Sequence, residues 1–451
     1  MLAGAGTGKT TVLTRRLALE CARGTPPERI LALTFTRDAA REMRERAAVV
    51  VGGGSLVPDV RTFHSLGLQI LSENGGRGWV LAGWSAIPRL MDEAEQARES
   101  AAFWMERFRA GGVGAPSRGE WTRSTARHGR PGDVSETVLP WKADWECWEA
   151  RKRSRSQAEH QDLLSGALTA LEKDSALLER WRGRAEVLLV DEYQDTDRTQ
   201  YRLVTLLSGE SPSVLAVGDD DQAIYGFRGA DLRNVLDWKA DRPDGRILSL
   251  TANHRSLPPV LDAANRIFPD KPATFRKILR ACRIDASAPI PVWYRARDQG
   301  EETRWILSRI APELRSGAKR RDVCLLCRSN RDVDRLKSLL PPWAGGVVVD
   351  TIHGAKGLEW PVVFATGQDR LRSEGNLLED FVGDEERRLF YVACTRARDR
   401  LYLTSCERRP RGDGTEERIP HPWMRLVRPA VQTRPGVWGK LRRRFLREGE
   451  G

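Results

Sequence analysis

No run of apolar residues in this 451-residue chain approaches the roughly 20 that span a bilayer, and no leader of the secretory type precedes its first motif. Cysteine is scarce. Seven are scattered along the chain, an odd number, which excludes a disulfide framework. Cys324 and Cys327 have the spacing of half a zinc site, but no second pair completes it, and both fall inside an apolar run. Acid is in deficit, with 62 Asp and Glu against 74 Lys and Arg, so the chain carries a net +12. Nearly all the bases are Arg, a bias that base composition of the gene explains as readily as a polyanionic partner does. Against these shortages stand 40% apolar residues, enough for ordinary cores, which excludes disorder throughout. The length implies roughly two to four domains, and the expectation is a soluble, cytoplasmic protein with no membrane partner.

Short β-branched and Leu-rich runs recur between helical stretches: 30–35, 187–190, 214–217, 247–250, 323–326, 347–349, 362–365 and 401–403. Continuous apolar strands alternating with helices predict parallel sheets covered on both faces, an α/β fold in two lobes. Prolines 258, 259, 269 and 272 mark the junction, giving a first lobe over 1–255 and a second over 256–406. Between about 75 and 185 no strand pattern shows, and the Trp-rich, Gly-interrupted stretch reads as a helical insertion in the first lobe. Its Trp residues are expected in the core rather than on nucleic acid. Residues 407–451 hold 12 Lys and Arg against 6 Asp and Glu, half the net charge, and read as a flexible basic tail.

Gly4-Ala5-Gly6-Thr7-Gly8-Lys9-Thr10-Thr11 opens the chain and runs into a helical pattern. Such glycines let backbone N–H groups wrap phosphate oxygens at a helix start, Lys9 reaches the β and γ phosphates, and the Thr10 hydroxyl ligates Mg²⁺. The first Gly of the usual pattern falls on Ala3, a miss by one position. A second element is more specific. Val187-Leu188-Leu189-Val190 ends in Asp191-Glu192-Tyr193-Gln194-Asp195, which gives Asp191 to hold Mg²⁺ and Glu192 to orient or deprotonate a water. Together they predict phosphoanhydride hydrolysis, with ATP and Mg²⁺ as the implied ligands.

Further segments follow in order: Thr34-Phe35-Thr36, Thr62-Phe63-His64-Ser65, the run from Gly218 through Asp219, Gln222, Tyr225 and Phe227 to Ala230, Asn253-His254-Arg255-Ser256, Thr351-Ile352-His353-Gly354-Ala355-Lys356-Gly357-Leu358-Glu359, and Glu385 through Tyr391 to Arg396-Ala397. This succession resembles the UvrD/Rep/PcrA group of superfamily I DNA helicases over most of the chain. The resemblance implies two RecA-like P-loop lobes, ATP in the cleft between them and single-stranded or tailed duplex DNA across the top. It implies that Gly4 to Thr11 serve the nucleotide, that Gln222, Arg255 and Arg396 approach the γ-phosphate, and that Glu359 accepts from the ribose. His254 stands where the family has an adenine-stacking Tyr. For DNA it implies Phe35, His64, Phe227 and His353 as stacking side chains, with Thr36, Thr62, Ser65 and Lys356 on the backbone. An ordinary core position is the alternative for Phe35 and Phe227. The implied activity is ATP-driven 3′-to-5′ movement on DNA, in repair, replication or recombination. The alternative is a weakly active or inactive DNA-binding or assembly module, against which the intact Lys9, Asp191, Glu192, Gln222, Arg255 and Arg396 argue.

Three departures stand out. A phosphate loop needs a strand behind it, and the three residues before Gly4 are expected to be too few, so an upstream strand is expected. Only 95 positions separate Arg255 from Asp350, so the large helical insertion of the family's second lobe is expected to be missing, and translocation is the safer expectation than processive unwinding. Arg37-Asp38 stands where the family has Asn-Lys.

Overall fold

Ile30–Thr34 and Val187–Val190 are buried at every position. Strands without an exposed face belong in the middle of a sheet covered on both sides. The computed structural model places them there and describes residues 1–50, 58–109, 142–209, 213–369, 385–411, 414–417, 423–428 and 432–433. Two compact units form: Lys9–Leu248 with Met1, and Leu2–Gly8 with the chain from Ser249 onward. In the first, a four-stranded sheet runs Asp59–Thr62, Ile30–Thr34, Val187–Val190, Ser213–Ala216, every pair parallel. All four strands therefore end at one edge, the position from which α/β sheets present their ligand-binding loops. Helix Lys9–Ala22 leads into the sheet, and Arg37–Val50, Phe63–Leu81 and Arg198–Ser208 lie on the connections between its strands.

The insertion is helical, as its pattern predicts, with Glu93–Arg109, Lys142–Ser154, His160–Lys173 and Ser175–Arg184. It also contains a parallel pair, Arg89–Leu90 with Gln157–Ala158, which corrects the expectation of no strand. Two residues are too few to show a period of two. Trp79, Trp84, Trp104, Trp145 and Trp148 are all buried, the last three with Met91 and Phe103 in one apolar cluster. The Gly- and Pro-rich loop near 111–132 lies outside the described residues.

The second unit has six parallel strands in the order Val348–Thr351, Val323–Cys327, Trp360–Ala365, Ala397–Cys406, Val292–Ala296, Gln432–Thr433. Between Val323–Cys327 and Val348–Thr351 lie one helix, Asn330–Leu339, and the short turn Pro342–Ala344. The thiols of Cys324 and Cys327 lie in the fully buried strand Val323–Cys327, where burial pushes that of Cys327 up to about 12. Two of the three residues before the phosphate loop do make a short strand: Leu2–Ala3 is buried and pairs in parallel with Ser249–Leu250. The expectation of a flexible tail is corrected for its described residues, 407–411, 414–417, 423–428 and 432–433. Arg408–Arg411 and Gly414–Glu417 form an antiparallel hairpin, and Trp423, Met424 and Val427 are buried along one short helix. An apolar anchor of that size orders a segment that net charge alone does not. Residues 434–451, with Arg442 to Arg444, lie outside the described residues.

Candidate active site and nucleic-acid face

The phosphate loop turns on two glycines in the left-handed region, Gly6 at φ 67° and Gly8 at φ 84°. A Cβ on Gly6 would also sit 2.6 Å from Cβ of Arg255, so both backbone conformation and space require glycine there. The loop is anchored by side chain and backbone within the second unit. Asn253 Nδ2 donates to the Ala5 carbonyl at 2.6 Å, and the His254 N–H donates to the Gly6 carbonyl at 2.9 Å. Thr7 closes the turn onto the Gly4 carbonyl at 2.8 Å. His254 is exposed beside this loop.

Lys9, Thr10 and Thr11 open the following helix. Lys9 Nζ meets both oxygens of Glu192 at 3.0 Å. Burial pulls the Lys9 ammonium down, but Glu192, Asp219 and Asp191 hold its pKa above the ordinary value, so it stays charged. Asp191 is pushed up to about 7, first by burial and then by the charge of Glu192. A desolvated carboxylate whose nearest cation is engaged by its neighbour, with the Thr10 hydroxyl in the adjoining helix turn, is a hard-oxygen donor set of the kind Mg²⁺ takes. Glu192 itself adopts φ 48°, ψ 44°, one of two non-glycine residues in that region among those described. Such a backbone costs about 1–3 kcal/mol and aims the side chain back toward Lys9.

Two residues outside the expected set complete the first-unit site. Gln194 Nε2 donates to Glu192 at 2.5 Å while its carbonyl oxygen accepts the Asp219 N–H at 2.9 Å. Asp219 in turn accepts from Gln222 Nε2 at 2.6 Å. Their signal was present in the sequence, since both lie within the motifs quoted, but a hydrogen-bond relay cannot be read from spacing. In the second unit, Arg255 pairs with Glu359 and donates to the Thr395 carbonyl at 3.1 Å. Arg396 is buried, donating to the carbonyls of Val392 at 3.2 Å and Leu358 at 3.1 Å.

The nucleic-acid candidates divide into an aromatic ledge and a groove. At the sheet edge Phe35 stacks on Tyr225, rings 5.5 Å apart and 12° from parallel, and Tyr225 meets Phe227 at 6.0 Å. Arg228 lies over both Tyr225 and Phe227. Phe35 is half-buried and Phe227 is 40% exposed, so neither is an ordinary core Phe. Tyr225 and Arg228 were not singled out from the sequence, although they flank Phe227 in the same motif. The groove holds about 850 Å³ and is lined by Thr62, His64, Ser65, Arg37, Arg44 and His160 among others. His64 and His160 face each other edge to plane at 6.3 Å. Burial first, then His160 and Arg37, lowers the His64 imidazole to about 4, so it is neutral at physiological pH. Thr36 and Thr62 have local work as helix caps, accepting from the N–H groups of Ala39 at 3.1 Å and Ser65 at 3.2 Å. In the second unit His353 and Lys356 are half-buried in the turn after Val348–Thr351, Lys356 N–H donating to the His353 carbonyl at 3.2 Å.

A glycine-rich loop entering a helix, with paired carboxylates at the end of a buried parallel strand and Lys9 of that helix meeting Glu192, defines a RecA-like P-loop protein. The comparisons are more specific. The model of the UvrD/REP helicase N-terminal domain matches residues 1–102 and 134–243, and that of the UvrD-like helicase C-terminal domain matches 248–341 and 344–408. The chain belongs to the UvrD/Rep helicase family. It is 32% identical to the YjcD protein of Bacillus subtilis strain 168, covering 73% of this chain and 44% of that protein. It is 31% identical to the ATP-dependent DNA helicase PcrA of Staphylococcus aureus strain Mu50, covering 73% and 46%, and 30% identical to PcrA of Staphylococcus epidermidis over the same shares. The chain thus matches less than half the length of these relatives. Among the described residues no helix is long and apolar enough to cross a membrane.

Proposed function

We propose that this chain is the motor of an ATP-dependent DNA helicase or translocase. It hydrolyses ATP with Mg²⁺ to move 3′ to 5′ along single-stranded DNA, in the cytoplasm, in repair, replication or recombination. One observation carries this reading. Residues 218–229 form a single short segment with Gln222 at its nucleotide end and Tyr225, Phe227 and Arg228 at its aromatic end, and Gln194 ties that segment to Glu192. That continuity offers a physical route by which nucleotide state would bear on the aromatic side chains.

Lys9 and the loop N–H groups bind the phosphates, and Thr10 and Asp191 would hold the metal, which neutralises phosphate charge when bound. Glu192 orients the attacking water and takes its proton. Gln222, Arg255 and Arg396 serve the γ-phosphate, Glu359 the ribose and His254 the adenine. Phe35, Phe227, His64 and His353 take bases, with Thr36, Thr62 and Lys356 beside the backbone. Stacking is blind to sequence, as a motor requires. The deciding experiment measures ATP hydrolysis with and without single-stranded DNA, with Lys9→Ala as control. Stimulation lost in the control supports the reading. DNA binding without stimulated hydrolysis favours the assembly-module alternative. Strand displacement on 3′- and 5′-tailed duplexes then reads polarity.

A further inference from the structure

Arg255 and Glu359 are assigned to opposite ends of one nucleotide, yet in this structure they bind each other. The Arg255 Nε donates to Glu359 Oε2, and its Nη1 donates to the Thr395 carbonyl at 3.1 Å. The arginine side chain is 13% exposed and the carboxylate 38%, so the pair is partly desolvated rather than a loose surface contact. The arginine is also placed from its backbone, its N–H donating to Asn253 Oδ1 at 2.9 Å, while Asn253 holds the phosphate loop through Ala5. A second cation, Arg398, stands 3.7 Å from the other oxygen of Glu359. The carboxylate is thus shared between two guanidinium groups, only one of which adjoins the phosphate loop.

Resting on the ATPase reading above, we infer that Glu359 is a specificity-determining residue that competes with the terminal phosphate of ATP for Arg255. A triphosphate must draw Arg255 from Glu359. A diphosphate offers no γ-phosphate and leaves the pair intact. Glu359 therefore lowers affinity for ATP selectively and gives Arg255 a partner to return to once the γ-phosphate has left. Arg398 moderates the competition by sharing the carboxylate. The test uses the full chain and titrates AMP-PNP and ADP separately, following intrinsic Trp fluorescence. Glu359→Gln keeps an acceptor for the ribose but removes the charge. It should tighten AMP-PNP about threefold to tenfold, the scale of a partly exposed ion pair, and move ADP by less than about twofold. In an Arg255→Ala background the gain should vanish. Arg398→Ala, which leaves Glu359 wholly to Arg255, should shift AMP-PNP in the opposite sense, about twofold to threefold weaker. Equal shifts for both nucleotides, a weaker AMP-PNP in Glu359→Gln, or a gain that survives Arg255→Ala would overturn the inference while leaving the ATPase reading standing. A wild-type chain that binds neither nucleotide overturns both.

Discussion

The two faces of the first unit proposed to take nucleotide and nucleic acid are built on different physics. At the nucleotide edge Lys9, Glu192, Gln194, Asp219 and Gln222 form a continuous relay of ionic and hydrogen-bonded contacts, largely buried. On the nucleic-acid side Phe35, Tyr225 and Phe227 present rings, with Phe227 among the exposed large apolar side chains. The first arrangement fixes charge against a group of defined geometry. The second offers flat surface to whatever base arrives. A preorganised electrostatic site loses nearly everything when one member goes, whereas a stacking ledge loses one increment per ring.

That contrast can be broken at several points. Lys9→Ala should cut DNA-stimulated ATP turnover about a hundredfold or more in a steady-state assay; a loss below tenfold would make the nucleotide edge as tolerant as the ledge. Lys152 tests whether buried charge matters on the nucleic-acid side as well. It is 1% exposed and surrounded by Glu149, Glu159 and Asp162, the last two on either side of His160 in sequence; burial is the largest single effect and lowers its pKa, but the three carboxylates together raise it. Lys152→Ala should destabilise the fold by about 3–5 kcal/mol in urea denaturation, because the acids lose their common cation. Phe227→Ala should raise the DNA concentration for half-maximal ATPase stimulation about tenfold, equivalent to about 1–2 kcal/mol.

The smallest effect is titrational. Since Asp191 must ionise to hold a cation and titrates near 7, Mg²⁺ affinity should climb about tenfold from pH 6 to pH 8, with proton release seen by calorimetry in buffers of different ionisation enthalpy. The same group binds its proton more tightly in the native chain than in the unfolded one. It therefore contributes stability to the metal-free fold below about pH 4, which is lost as the pH rises through about 7. A flat Mg²⁺ profile would remove Asp191 from the metal site.

Much of the architecture was legible because burial on both faces writes itself into composition: Val187–Val190 and Val323–Cys327 are strands with almost no polar residue. The carboxylate pair and the phosphate loop were legible because their chemistry tolerates few residue types. What was hidden depends on contacts distant in sequence. The Phe35–Tyr225 stack joins residues 190 positions apart. His160 reaches the groove only because the helix His160–Lys173 packs along Phe63–Leu81, and the pairing of Leu2–Ala3 with Ser249–Leu250 lies below any pattern two residues can make. The ordered stretch of the tail was masked by its own charge, with Trp423 as the overlooked anchor.

The left-handed backbone at Glu192 has a practical consequence for anyone hardening this protein against heat. Glycine reaches that conformation without penalty, so selection for thermal survival alone would favour its arrival at position 192. Lys9 would still have Asp191 and Asp219 as counter-charges. Such a library would enrich durable proteins that no longer turn over. Screening for survival and for DNA-stimulated hydrolysis in the same round is the way to keep the two traits together.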